Sequence, residues 1–577
     1  MRKLSGGFLV ALIAVLIAGS AFSQTASSKP AFEKADIHPA IPIQGLGAGR
    51  LGLPYAANGR YEIRNATMLN LITTAYSVDP ERVVGGPSWL EWDHFDIIAA
   101  MPRDTSPETQ KIMLQTLLAD RFKLLIHNDT KDLTSYALTT GKSPKLKPAE
   151  GSGDQGCRGQ IGGSGVTAMP GGGFQLNPTA GPITNTFTCR SMSMEAFAAF
   201  LRPQVSQNNS ANSASPVVDQ TGLKGAWDFE FKTTLQIRLL NAVNSDSSQI
   251  TIFDAVDKQL GLKLTAAKTP LQVLVVDGAT EKPTENLPGV AESLAVQHPK
   301  EFEVADVRPS APAGQRLIPM RIQIKPGGGV NFSGLPLQTL VVQAYQVQGQ
   351  QIIIPPDLQK EMQNRYDIIA KPPESGSVPA PAAGPAIPSP EDNDAAWAMI
   401  RALLADRFKL VTHQEQRPGT GYKLIAVKPK MKKADPSERT KQVEGPGADG
   451  KDPRIATPAR SRLSMFQNVT MKQFAAALPG ISAYMTNGTV VEDATGLEGS
   501  YDFTINYSPV GFASRNINAG GRGVPEGANG QGAASEPDGG ISLFEAIEQQ
   551  LGLKLVEEKR PVSVFVIDHV EGKPTEN

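Results

Sequence analysis

The chain is written twice. FEKADIHP at Phe32 returns as FEVADVRP at Phe302, FDIIA at Phe95 as YDIIA at Tyr366, and LLADRFKL stands unchanged at Leu117 and Leu403. MSMEAFAAFL at Met192 is echoed by VTMKQFAAAL at Val469, TGLKGAWDF at Thr221 by TGLEGSYDF at Thr495, and FDAVDKQLGLKL at Phe253 by FEAIEQQLGLKL at Phe544. Both halves close on KPTEN. A match of this length and order restricts the chain to a fold that one sequence pattern adopts twice.

The spacing between matched blocks changes along the chain. Insertions are tolerated where backbone is exposed and costly inside packed elements, so these changes mark loops. The second copy gains the Pro-rich stretch PPESGSVPAPAAGPAIPSP after Lys371, loses residues between Gly445 and Arg460, and gains a Gly-rich run from Gly511 to Gly540. The first copy carries its own Gly-rich run from Gly151 to Gly181. These stretches have too little apolar content to build a core and are expected to be flexible. They divide the chain into a leader (1–23), an N-terminal subdomain of copy 1 (32–150), a Gly-rich linker (151–185), its C-terminal subdomain (186–286), an inter-copy linker (287–300), an N-terminal subdomain of copy 2 (301–430, with the insert 371–390), a linker (431–460) and a last subdomain (461–577, with the insert 511–540). The 577 residues, 40% hydrophobic and 20% charged, suffice for several globular cores.

The first residues read as a secretory signal: Arg2 and Lys3, an apolar run from Phe8 to Ala18, and a small-residue site at Ala21-Phe22-Ser23. The apolar run is shorter than the about 20 residues of a spanning helix. The expectation is therefore cleavage near Gln24, export, and no transmembrane segment once the signal is removed. Formal net charge is −1 and the basic residues are scattered, apart from Lys428, Lys430, Lys432 and Lys433, so nucleic acid is not an expected partner. Cys157 and Cys189 are the two cysteines, both in copy 1, and an exported chain permits one disulfide between them. Copy 2 has none, so such a bridge is not essential to the repeat.

Local signals sketch an α+β unit. Ser542-Leu543-Phe544-Glu545 and Thr251-Ile252-Phe253-Asp254 have capping-box spacing, and Gly552 and Gly261 follow where a left-handed residue ends a helix. Leu553–Val556, the charged Glu557–Arg560 and the apolar Val562–Ile567 predict a β-hairpin. Ser106-Pro107-Glu108 and Ser389-Pro390-Glu391 each open a helix that runs into LLAD. Earlier helices are expected at Met68, Leu69, Ile72 and Tyr76 and at Leu337, Leu340, Val341 and Tyr345, with strands at Phe95–Ala99 and Tyr366–Ala370. The fold class is α+β: a tandem repeat of two similar units, each of two small subdomains with helices packed on short, mostly antiparallel sheets.

The blocks AYxV at Ala75 and Ala344, GGPSWL at Gly85, FDIIA, LLADRFKL, VVDQTGL at Val217, YDFTINYSP at Tyr501 and the closing VIDHVEGKPTEN resemble the exported "soil-associated protein" family, a domain of unknown function abundant in soil bacteria. The resemblance covers nearly the whole chain after the leader, twice, and implies membership without a reaction, substrate or catalytic residue. Some members of that family look to be joined to a membrane-embedded peptidase of the β-lactam-sensor type, but HExxH is absent here. GGPSWL also gives way to IIIPPDL around Ile352 in copy 2, which implies that the two halves do not bind identically.

Candidates for chemistry are few. His127 and His413 hold equivalent positions just beyond the strand expected to follow LLADRF, where a histidine beside an acid can serve as general base or metal ligand. Asp120-Arg121 and Asp406-Arg407 are expected as local ion pairs or caps. Asp228 in WDF and Asp502 in YDF are possible hydrolase carboxylates, though an alternating strand also places an acid there. Phe197, Phe200 and Phe474 read as core. No P-loop, GxSxG or CxxC is present, and no cofactor is expected. The function read from this is a non-catalytic binding or scaffolding module of the cell envelope or exterior, engaging a protein or polymer. The alternative is an exported hydrolase whose acid and histidine are assembled from distant positions, with His127 meeting Asp228 and His413 meeting Asp502.

Overall fold

The computed structural model describes residues 29–40, 52–141, 143–149, 155–164, 166–168, 174–176, 183–205, 216–234, 250–296, 299–310, 320–347, 352–373, 388–435, 438–444, 462–481, 489–507 and 541–575. The leader, most of the Pro-rich insert and the Gly-rich run 511–540 lie outside the described residues.

Within them the repeat is fourfold. The first unit runs β1 (Lys34–Ala40), β2 (Pro54–Ala57), β3 (Arg60–Thr67), α1 (Met68–Tyr76), β4 (Val83–Gly85), β5 (His94–Ala100), α2 (Pro107–Arg121) and the long β6 (Leu125–Thr140). The second runs β7 (Lys147–Pro148), β8 (Gly156–Gly162), an excursion β9 (Val166–Ala168) and β10 (Phe174–Leu176), then β11 (Thr184–Met192), α3 (Met194–Val205), β12 (Val217–Asp219), β13 (Trp227–Thr234), α4 (Ile252–Asp254) and the long β14 (Leu262–Gly278). After the linker helix α5 (Val290–Leu294), copy 2 repeats the first unit as β15 (Val304–Pro309), β16 (Arg321–Ile324), β17 (Val330–Pro336), α6 (Leu337–Ala344), β18 (Ile352–Ile353), an added α7 (Gln359–Gln363), β19 (Arg365–Lys371), α8 (Pro390–Arg407) and β20 (Val411–Ala426). The fourth unit is β21 (Lys432–Lys433), β22 (Lys441–Glu444), β23 (Arg462–Thr470), α9 (Met471–Ile481), β24 (Val491–Asp493), β25 (Ser500–Tyr507), α10 (Leu543–Ala546) and β26 (Leu553–His569).

Each unit folds four of its strands into an antiparallel sheet of one order: β1-β5-β3-β2, β7-β13-β11-β8, β15-β19-β17-β16 and β21-β25-β23-β22. The last strands of paired units join in a ribbon, with each unit's short helix-following strand flanking its partner's long one in parallel: the orders are β12-β6-β14-β4 and β18-β26-β20-β24. β4 and β18 of the N-terminal units lie on β14 and β26 of the C-terminal units, while β12 and β24 of the C-terminal units lie on β6 and β20 of the N-terminal ones. This arrangement has local twofold symmetry, because exchanging the two units of a copy restores the same order.

The ribbon replaces the predicted hairpin. Glu557–Arg560 is the middle of the single strand β26, paired along its length with β20. Its ends are apolar because they enter different cores, with Phe565 and Ile567 in the N-terminal core of copy 2 and Leu553 and Leu555 in the C-terminal one. The charged middle crosses the gap between cores, where Lys423 reaches Glu558 at 2.7 Å. In copy 1, Leu274 and Val276 enter one core and Leu262 and Leu264 the other. A strand of 17 residues spans about 55 Å, which is enough to serve both.

Two segments expected to be flexible linkers contain strands. In 151–185, β8 pairs with β11, and Cys157 and Cys189 sit opposite each other and are joined by a disulfide. In 431–460, β21 and β22 complete the edges of the fourth sheet. Backbone pairing needs no apolar side chain, so composition underestimates order there. The expected caps are in place: Ser542 and Glu545 bond reciprocally, Thr251 accepts from the Asp254 amide, and Ser106 and Ser389 cap α2 and α8. Phe197 and Phe474 are fully buried, with Phe200 packed against the same core as Phe197.

Candidate functional site

Asp228 and Asp502 belong to a fourfold device. In every unit's sheet the strand leading into the first long helix bulges against its neighbour, between Ile63 and Ala66, Cys189 and Met192, Phe332 and Leu335, and Phe466 and Val469. Each bulge contains a left-handed residue, Asn65, Ser191, Gly334 or Asn468, with φ between 46° and 64°. The amide of that residue donates to the aspartate facing it: Asn65 to Asp96 at 2.6 Å, Ser191 to Asp228 at 2.8 Å, Gly334 to Asp367 at 2.8 Å and Asn468 to Asp502 at 2.8 Å. Three residues after each left-handed residue a helix begins, at Met68, Met194, Leu337 and Met471. The aspartate satisfies an amide that the bulge removes from the ladder and so fixes the turn of the chain into the helix. Asp96 and Asp367 are legible as part of this set, because an aromatic residue, Asp and an apolar residue recur at FDI, WDF, YDI and YDF.

Each histidine takes a different acid. His127 lies within β6 and His413 within β20, rather than beyond a strand end. Nδ1 of His127 lies 2.8 Å from Asp277, and Nδ1 of His413 lies 2.8 Å from Asp568. Asp277 and Asp568 sit at the bulge that ends each ribbon, and their equal placement before KPTEN is the available sequence signal. No hydrogen bond or ion pair joins His127 to Asp228, or His413 to Asp502, among the described residues. Nε2 of His413 lies 3.8 Å from Glu415. All four dyad side chains are exposed, and no group of three ligating side chains able to hold a metal occurs among the described residues. The hydrogen bond that the ring donates to Asp568, with the charges of Asp568 and Glu415, raises His413 above its ordinary 6.5. The dyad therefore stabilises the fold below about 6.5, and that contribution fades as pH rises through the elevated midpoint of His413. Titrating His413 by NMR is expected to give a midpoint above that of Asp568→Asn. Coincident midpoints would remove the assignment.

Arg121 does not pair with Asp120. It donates to the Thr284 carbonyl at 2.5 Å and to Asn286 at 2.6 Å, while Asn286 also donates to Asp36 at 2.6 Å. FEKADI, LLADR and KPTEN thus meet in one clasp that closes the first unit. In copy 2, Arg407 bonds the Thr575 carbonyl at 3.3 Å and also contacts Asp406 at 3.4 Å.

The copies meet through charges that they do not share. Arg439, 2% exposed, pairs with Glu91 and lies 3.7 Å from Glu81, and Lys441 reaches Glu81 at 2.6 Å. Gln473 donates to the Ser88 carbonyl at 2.8 Å, and Trp92 of copy 1 packs against the last core of copy 2. On the other side Arg60 pairs with Glu391, and Arg64 lies 3.7 Å from Asp394.

A family model described as "Protein of unknown function (DUF3738)" matches residues 69–279 and 338–570. The chain belongs to the DUF3738 family. Each match lies within one copy, running from its first helix to its last long strand, so each spans parts of two structural units joined by a ribbon. No curated protein and no solved structure matches the chain. No helix among the described residues is long and apolar enough to cross a membrane.

Proposed function

We propose that this DUF3738 protein is an exported, non-catalytic binding or scaffolding module of the cell envelope or exterior, engaging a protein or polymer. One observation carries the reading. The aspartates that the repeat places in its sheets are bonded to bulge amides in all four units, so the recurrence of these acids is accounted for by the fold. Catalytic geometry requires acid and base to converge on one cleft, and His127 and His413 instead pair with Asp277 and Asp568 on exposed ribbon surface. Duplication, with neither histidine bonded to its sheet aspartate among the described residues, suits bivalent engagement. The leader-like first residues support export, and the family resemblance supports a soil bacterial source.

The alternative, an exported hydrolase, draws on the dyads themselves, since a carboxylate-oriented imidazole is a competent general base. A pull-down of envelope and secreted material on the full chain, with bound species identified by mass spectrometry and glycan analysis, separates the two. A saturable partner retained by His127→Gln/His413→Gln is the expected result. No partner above background, together with hydrolysis lost in that double variant, would replace the binding reading with the enzyme.

A further inference from the structure

The outer face of the first sheet is covered. α5 lies against β1 and β5, with Val290 and Leu294 buried, and the Leu294 carbonyl accepts from Arg60 at 2.5 Å. The start of α8 reaches the same face, where Arg60 meets Glu391 and Arg64 meets Asp394. Beneath these helices the Asp36 side chain is 4% exposed and Glu62 is fully buried.

The equivalent face of copy 2 is open among the described residues. Val304 is 61% exposed, Ile369 53%, and the Asp306 side chain 35%. Strand register gives the correspondence residue by residue. Asp306 faces Ile369 as Asp36 faces Ile98, and Val304 stands where Lys34 does. Asn331 faces Ile369 as Glu62 faces Ile98, so Ser333 takes the place of Arg64, and Gly329 that of Arg60. Both arginines that meet the start of α8 are therefore missing from this face, whereas the seat under α5 keeps its isoleucine and exchanges a lysine for valine. A surface changed in this way selects against an acidic helix start and for an apolar one.

We infer that the outer face of β15 and β19 is a docking surface for a short amphipathic helix that presents two apolar residues one turn apart, as Val290 and Leu294 do on copy 1. Helix-on-face recognition of this kind rests on anchors at i and i+4. The inference rests on the binding reading and gives it a partner chemistry.

The test uses the geometry of copy 1, where the segment after Asn286 leads into α5. The sequence LPGVAESLAV of residues 287–296 is appended after Asn577 in the full chain, and hydroxyl-radical labelling of Val304 and Ile369 is read by mass spectrometry. Labelling is expected to fall several-fold, and to stay at the wild-type level when the two apolar anchors of the extension are aspartate. Unchanged labelling, or an equal fall with the aspartate extension, would overturn the docking surface. Neither result depends on capture of a partner, so the binding reading and this surface fail separately.

Discussion

Replacing Gly552 by alanine is expected to cost the second copy about 2–5 kcal/mol, combining the penalty for a left-handed non-glycine residue with that of overpacking. Gly552, with φ +67°, ends the helical turn Ile547–Leu551 that continues α10, and a Cβ there would stand 1.7 Å from the Lys428 carbonyl oxygen. That oxygen is backbone and cannot swing aside. The Gly552 carbonyl accepts from the Val427 and Lys428 amides at 3.0 and 2.9 Å, so the loop after β20 is tied to the residue being changed. Gly261 repeats the arrangement in copy 1, where a Cβ would stand 2.1 Å from the Ser143 carbonyl oxygen. Gly496 is the control, because it has φ +65° and nothing within 4 Å of its Cβ position, so alanine there carries the backbone penalty alone. Chemical denaturation should show G552A losing clearly more stability than G496A. Equal losses would mean that the close approach to Lys428 contributes nothing.

The second large effect is expected at Arg439. Burial draws its guanidinium down to about 10, so it stays charged at neutral pH, and it is enclosed with Glu91 and Glu81 between the copies. Removing one member of a buried ion pair leaves the other charge uncompensated and costs about 3–5 kcal/mol. Arg439→Ala is therefore expected to loosen copy 1 from copy 2, giving faster proteolysis in the inter-copy linker and two separated unfolding transitions. Arg439→Met combined with Glu91→Gln should recover much of the loss, because it removes both charges and keeps the volume. A single transition in Arg439→Ala at the wild-type midpoint would show that the cluster does not hold the copies together. Glu81, Glu91, Arg439 and Lys441 are invisible as a set in the sequence, since they lie about 350 residues apart and have no equivalents in the repeat to draw attention to them.

Local chemistry is legible wherever it acts over a few residues. The caps at Ser106, Ser389, Thr251 and Ser542, the helices at Met68 and Leu337 and the strands at Phe95 and Tyr366 each depend on neighbours within one or two turns. The hairpin expectation fails because a charged segment between two apolar ones looks the same whether the chain turns or runs straight between two cores. Only the burial of Leu553 and Phe565 in different cores distinguishes the two. The aspartates mislead in a similar way, since an acid in an alternating strand looks solvent-facing until the neighbouring bulge supplies an amide for it.

The sequence by itself determined the duplication, the α+β class, the helix starts and the presence of a domain of unknown function in two copies, because these follow from ordered matches and short-range hydrogen bonding. Tertiary structure alone decided that the repeat is fourfold, that the last strands of paired units form shared ribbons, that each histidine pairs with Asp277 or Asp568, and that, among the described residues, one sheet face is covered in copy 1 and open in copy 2. Those facts depend on contacts between residues far apart in the chain, whose pairing is set by register and packing and leaves no periodicity to read.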